Sequence, residues 1–366
     1  MAAPTVVVKI GTSSITDEKG LINEAAIAKL CAEVAEVRAG GTRVVVVTSG
    51  AIASGLPLLG MGERRPSDLA VLQAIAAVGQ GRLFGVYERA LFDHGLTSGQ
   101  VLLAPLDFVN RRQYLHARRT LSVLLQLGVV PIVNENDAVA DDEIRFGDND
   151  RLAALVAHLL SADLLLLLTD TPGLLSADPR VDSKASLIEQ IVEGDVSLEA
   201  MAGGAGSARG SGGMASKLAA GRMAAWSGVR AVIASANRPG VVAEAVAGAA
   251  GVGTVFVPRS ERLGARKLWI AFAVGSSGIV VVDEGARRAL LDRGVSLLPA
   301  GVVDVAGSFD ADDAVEIAGP DGIVFAKGLC RHPSRRLKEL AGRRTTELPM
   351  DIPREVVHRD DLVLLA

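Results

Sequence analysis

Five short stretches constrain this chain more than any other feature: residues 5–10, 43–48, 129–133, 163–168 and 229–234 are runs rich in Val, Ile and Leu. A strand with one wet face alternates polar and apolar side chains. These runs do not alternate, so they belong in a sheet covered on both faces. Residues 97–103 read as a further, weaker strand. Between the runs lie segments of helical spacing at 23–38, 51–59, 68–92, 107–127, 151–160 and 241–247. Strand–helix–strand alternation predicts an α/β fold, a mostly parallel sheet sandwiched by helices. Aromatic residues make up only 3% of the chain and hydrophobic residues 49%, so the core is aliphatic.

Ligands of such sheets sit beyond the carboxyl ends of the strands. The polar and glycine-bearing segments fall at those ends: Gly11-Thr-Ser-Ser14, Ser49-Gly50, Asn134-Glu-Asn-Asp137 and Thr169-Asp170. Lys9 lies one residue before the end of its apolar run. A charge there either snorkels to the strand end or serves as a cation for an anionic ligand. Ser49 reads as a helix cap or as an anion-binding hydroxyl. Asp148 and Asp150, in Gly147-Asp-Asn-Asp150, read singly as helix caps. Taken with Asn134–Asp137, the two amide–carboxylate clusters suit an amino-acid substrate: carboxylates for its ammonium, amides and backbone N–H groups for its carboxylate. Thr169-Asp170 reads as a turn or as a contact for a nucleotide. Gly210-Ser-Gly-Gly-Met-Ala-Ser-Lys217 combines glycines at 210, 212 and 213 with a lysine one turn into a helix. That is a phosphate cradle with a point charge, distinct from a P-loop, whose lysine directly follows glycine. The five histidines show no metal-ligand spacing, and Arg111, Arg112, Arg118 and Arg119 read as a solvated helix face or a subunit contact.

The pattern changes after residue 258. A charged stretch, 259–275, reads as a linker, and short strand-like pieces at 278–282, 301–305, 314–318, 323–326 and 362–365 predict a small mostly-β barrel. The expected organisation is a catalytic domain at 1–258, the linker, and a second domain at 276–366. The second domain holds 12 basic and 15 acidic side chains, so it has no net positive field for RNA. The whole chain carries a formal charge of −4, which favours neither a nucleic-acid nor a membrane-surface role. Two distant cysteines, a start without a basic leader, and a 159–168 run broken by Ser161 and Asp163 fit a cytoplasmic protein.

Assembled in order, Val8-Lys-Ile-Gly-Thr-Ser13, Val47-Thr-Ser-Gly-Ala-Ile-Ala53, Ala76-Ala-Val-Gly-Gln80, Asn134-Glu-Asn-Asp-Ala-Val139, Gly147-Asp-Asn-Asp150, Leu168-Thr-Asp170, Gly212-Gly-Met214 with Lys217, Val282-Asp-Glu-Gly285 and Ser296-Leu-Leu-Pro299 resemble the glutamate 5-kinase family across nearly the whole chain. The pattern departs at Leu175, where relatives often carry Tyr, and at Ser211, where Thr is common. The resemblance implies an amino acid kinase fold followed by a PUA domain, and ATP-dependent phosphorylation of the L-glutamate side-chain carboxylate, the first step of proline biosynthesis. It implies Lys9, Lys217 and Asp150 as catalytic residues. Lys9, Thr169, Asp170 and the segment Ser211, Gly212, Gly213, Met214, Ala215, Ser216 and Lys217 are implied to bind ATP with Mg²⁺. Ser49, Asn134, Asp137 and Asn149 are implied to hold glutamate. It further implies a homo-oligomer, dimer or tetramer, with proline as feedback inhibitor. The rival readings are an N-acetylglutamate or aspartate kinase and, disfavoured by the charge balance, RNA binding through the PUA domain.

Overall fold

The computed structural model describes residues 3–17, 20–61, 66–139, 149–177, 184–192, 213–260, 262–349 and 352–365. The expected glycine segment at 203–212, the acidic loop 141–143 and Gly147-Asp148 lie outside them. The chain divides between Leu263 and Gly264 into two compact units. That division falls within the 259–275 stretch read as a linker. Its described residues include folded parts: the Arg259 guanidinium lies 3.7 Å from the Trp226 ring centroid, and helical turns Ala265–Leu268 and Trp269–Ala273 bury Leu268 and Ile270.

The first unit is built on an eight-stranded sheet: β1 (Thr5–Ile10), β2 (Arg43–Val47), β3 (Ser98–Leu103), β4 (Val130–Glu135), β5 (Leu164–Thr169), β6 (Gln190–Ile191), β7 (Arg230–Ser235) and β8 (Thr254–Phe256), in the order β3-β4-β2-β1-β5-β7-β8-β6. All described neighbours are parallel except β7 and β8. The unalternating runs occupy the middle: β1 is buried at every position, and so are β4 and β5. Two short strands, β6 and β8, had no signature in the sequence, because runs of 2 and 3 residues are too brief for any period to register.

Parity divides the sheet into two faces. Val6, Val8 and Ile10 of β1 join Val44, Val46, Ile132, Leu166 and Leu168 in one core under helices Glu24–Ala39, Leu69–Phe92 and Val241–Ala247. Val7 and Lys9, with their register partners Val45, Val47, Leu165 and Leu167, occupy the other face. Helices Asn149–Leu160 and Met214–Trp226 cover that face. Helix Leu69–Phe92 is long and apolar enough to cross a bilayer by length and composition. Here it lays Leu83, Val86, Tyr87 and Leu91 into the first core.

Two expected helices are broken, each for a local reason. Pro57 has no N–H, so Ala51–Gly55 passes into a separate turn, Pro57–Leu59. The 107–127 segment divides at Asn110, whose side-chain Oδ1 accepts from the Arg112 and Gln113 N–H groups and starts a new helix, Arg111–Gln126.

The second unit carries β9 (Gly278–Val282), β10 (Val302–Gly307), β11 (Ala314–Ala318), β12 (Val324–Cys330) and β13 (Val357–Leu364) in the order β10-β9-β11-β12-β13. All its neighbours are antiparallel but β9 and β11. Val280, Ile317, Phe325, Leu337 and Val357 lie in its own core.

The short helix Ala51–Gly55 follows the Ser49-Gly50 turn and is held against Leu69–Phe92 by backbone contact. A Cβ on Gly79 would sit 1.9 Å from the Ala51 carbonyl oxygen, and one on Gly55 would sit 2.1 Å from that of Ile75. Gly79→Ala should therefore destabilise the protein by about 3 kcal/mol, the upper end for overpacking. Gly81→Ala, in the same helix with open space around it, should be neutral or stabilising by up to about 1 kcal/mol. Denaturant unfolding of the two variants checks this, and equal midpoints would contradict the close crossing.

Candidate active site

The second face delivers Lys9 to the carboxyl edge of the sheet. A lone buried ammonium is costly, and the chain answers with Asp150, two residues into helix Asn149–Leu160. Lys9 Nζ lies 2.5 Å from Asp150 Oδ1. Lys217, one turn into helix Met214–Trp226, places its Nζ 3.1 Å from Asp150 Oδ2. Ser216 Oγ donates to the same Oδ2 at 3.0 Å. The three charged side chains are 3%, 7% and 0% exposed in the order Lys9, Lys217, Asp150, so water screens the cluster little. Burial alone would raise the Asp150 pKa. The adjacent ammoniums of Lys9 and Lys217 outweigh it and hold the group down at about 2 against an ordinary 3.8. The cluster is thus two cations on one ionised carboxylate, with a positive excess at a strand edge.

A second polar group adjoins it. Asn149 Nδ2 donates to the Thr48 carbonyl at 2.5 Å, to Asn134 Oδ1 at 2.6 Å and to Ser49 Oγ at 3.2 Å. Asn134 Nδ2 donates in turn to Gln80 Oε1 at 2.6 Å. Thr48 Oγ1 and the buried Tyr87 hydroxyl form a hydrogen bond at 2.8 Å in which either oxygen can donate, and burial pushes the Tyr87 pKa up. Asp137 stands half-buried in the single turn Asp137–Val139 just beyond β4. Thr169, buried at the end of β5, donates to the exposed Asp170 at 3.0 Å.

The structure therefore brings Lys9, Lys217, Asp150 and Ser216 together around one carboxylate, and Ser49, Asn134 and Asn149 together around one amide. Asp137 and Thr169-Asp170 follow the ends of β4 and β5. Gly213 precedes helix Met214–Trp226, and no side chain among the described residues caps that end. Met214 and Ala215 occupy its first turn. Ser211 and Gly212 lie outside the described residues. Sequence reasoning set Gln80 in a motif and Thr48 in the strand-to-helix turn yet gave neither a place in the site, and it passed over Tyr87. A glutamine at the buried spacing Ile75, Ala76, Gly79, Gln80, Leu83 of an apolar helix was the available signal.

Residues 4–235 match the amino acid kinase family and residues 278–349 the PUA domain. The chain is 46% identical over 364 residues to the glutamate 5-kinase of Burkholderia cenocepacia strain HI2424, spanning 98% of this chain and 97% of the relative. It is 45% identical over 367 residues to the glutamate 5-kinase of Moorella thermoacetica, spanning 99% and 97%. Among solved structures, the carbamate kinase from Giardia lamblia bound to AMP-PNP superposes with a TM-score of 0.53 at 17% identity, over 70% of this chain and 99% of that one. That likeness is one of fold.

Asp150→Asn would leave two buried ammoniums on an amide and should lower stability at neutral pH by about 3–5 kcal/mol. A depressed native pKa gives stability that is full above the ordinary 3.8 and is lost as pH falls toward about 2. The gap between wild type and variant in urea unfolding should narrow over that window. Equal midpoints at pH 7 would contradict the ion-pair assignment.

Proposed function

The chain belongs to the glutamate 5-kinase family, an amino acid kinase domain followed by a PUA domain, and from that premise we propose how its own residues carry out the transfer of the ATP γ-phosphoryl group to the side-chain carboxylate of L-glutamate. The observation that carries the reading is the buried pair of lysines on Asp150 at the carboxyl edge of the sheet.

The chemistry explains why such a site uses lysines and no histidine. A carboxylate is already a nucleophile and needs no general base. One carboxylate oxygen attacks Pγ in line, the bond from Pγ to the bridging oxygen of ADP breaks, and no proton moves. The difficulty is electrostatic, since an anion must approach an anion. Lys9 and Lys217 meet that difficulty with charge fixed in a water-poor site. An ammonium has three N–H donors, so the contact with Asp150 leaves each lysine able to reach phosphoryl oxygens. Asp150 holds both in place. Its pKa, lowered to about 2, keeps it ionised and removes it as a general acid near neutral pH.

The nucleotide phosphates bind at the start of helix Met214–Trp226, which no side chain among the described residues caps, through first-turn N–H groups and the segment Ser211 to Ser216 that the resemblance assigns to ATP. Thr169 and Asp170 meet the nucleoside. The donor set around Asp150 is already paired with cations. No group of three metal-ligating side chains occurs among the described residues, so Mg²⁺ would come bound with ATP and would supply further neutralisation of the triphosphate. Ser49, Asn134, Asp137 and Asn149 hold the acceptor, with Asp137 facing its ammonium. Proline, a compact amino acid with the same α-carboxylate and ammonium type of headgroup, competes at this acceptor site, and the chain works as a homo-oligomer; both are carried by the family resemblance.

Release of ADP should depend on L-glutamate and be far weaker with aspartate or N-acetylglutamate. A preference for either rival acceptor would overturn the reading. Lys217→Ala should lower kcat by about 100-fold or more while the KM for ATP changes less. Near-wild-type turnover in the folded variant would remove Lys217 from the reaction.

A further inference from the structure

The polarity of the amide chain across the sheet edge is fixed by two backbone groups. The Glu135 N–H can only donate, and it donates to Asn134 Oδ1 at 2.9 Å. The Thr48 carbonyl can only accept, and it accepts from Asn149 Nδ2 at 2.5 Å. Asn134 must therefore turn its Nδ2 toward helix Leu69–Phe92, where Gln80 Oε1 accepts it at 2.6 Å. Asn149 must spend its two Nδ2 protons on Thr48 and Asn134, with Ser49 Oγ a longer contact at 3.2 Å. What remains is Asn149 Oδ1, a buried acceptor with no hydrogen-bond partner among the described residues. An orphaned buried acceptor is costly, and its natural partner is a donor that arrives with the substrate.

We infer that Gln80 is a positioning residue for the acceptor amino acid: it holds Asn134, and through it Asn149, so that Asn149 presents its carbonyl oxygen to the substrate ammonium. The inference rests on the glutamate-kinase reading and reverses one expectation from sequence, which gave the amides to the substrate carboxylate. Gln80 itself is 9% exposed and touches the site only through Asn134. Ser49, whose hydroxyl accepts from Asn149 at 3.2 Å, keeps its own proton for the substrate carboxylate.

The test uses the full chain with Gln80→Met, which keeps the volume and removes the acceptor, and Gln80→Glu, which keeps an acceptor oxygen. Steady-state kinetics should show the KM for glutamate raised at least about tenfold in Gln80→Met, with kcat and the KM for ATP changed less than about threefold, and largely restored in Gln80→Glu. The inhibition constant of glutarate, which lacks the ammonium, should move less than about threefold in Gln80→Met. An unchanged glutamate KM in folded Gln80→Met overturns the inference, as does an equal shift for glutarate. If Gln80→Met does not fold, Gln80→Ala takes its place; failure of both beside a folded, active Gln80→Glu assigns Gln80 a purely structural role and also overturns it. Wild-type protein without glutamate-dependent ADP release defeats the kinase reading and this inference together, whereas an active wild type with an indifferent Gln80→Met defeats this inference alone.

Discussion

Asp150 is the point on which the site turns. It is fully buried, and its two oxygens are divided between lysines from opposite ends of the domain's sequence. A carboxylate in such a place is unfavourable alone, and so is each ammonium; together they are tolerable, because each supplies the charge that the others lack. The cluster has consequences for the whole first unit. β1 must lie in the middle of the sheet for Lys9 to be covered, and parity must put Lys9 on the face of helices Asn149–Leu160 and Met214–Trp226. A one-residue slip of β1 would send Lys9 into the aliphatic core on the other face and Ile10 toward Asp150. The register pairs Lys9–Val47 and Lys9–Leu167 therefore position the charge as much as they build the sheet.

The amide chain ties the two faces together over the sheet edge. Gln80 comes from a helix on the first face, Asn149 from a helix on the second, and Asn134 from the strand between them. Asn149 and Asp150 are adjacent, so the residue proposed to hold the acceptor and the residue that holds the lysines start the same helix. Any movement of that helix would disturb both halves of the reaction together. The close glycine crossing of Ala51–Gly55 on Leu69–Phe92 acts in the same direction. It anchors the Ser49-Gly50 turn on the helix that carries Gln80.

Much of this was written in the sequence where a signal was local and strong. Residues 5–10, 43–48 and 163–168 are unalternating because both sheet faces are covered, and they became β1, β2 and β5. The polar clusters at their ends marked the carboxyl edge. The resemblance that these residues carry agrees with the family found by comparison. The rest was hidden for physical reasons. β6 and β8 are too short to show a period, and Asn110 divides a helix through a side-chain cap that an apolar pattern does not record. That Lys9, Asp150 and Lys217 belong to one site came only from the resemblance, because their ion pairing depends on strand register, which single segments do not encode. Gln80 was overlooked because a polar residue on a buried helical face reveals its purpose only when its partner, Asn134, arrives from another strand. The hydrogen-bond polarity of Asn149 was not legible either, because residue type shows that an amide has both a donor and an acceptor, but not which of them the backbone has already taken.

The central claim is that Lys9 and Lys217 act on one transferring phosphoryl group as a unit. The direct measurement is a double-mutant cycle of Lys9→Ala and Lys217→Ala, read as hydroxamate formed when hydroxylamine traps the acyl phosphate made from ATP and glutamate. Residues that act as a unit are strongly non-additive. Each single variant should lose most of the hydroxamate signal, and the double variant should lose far less than the product of the two. Losses that multiply independently, or a wild type that releases ADP with glutamate and yields no hydroxamate, would contradict it.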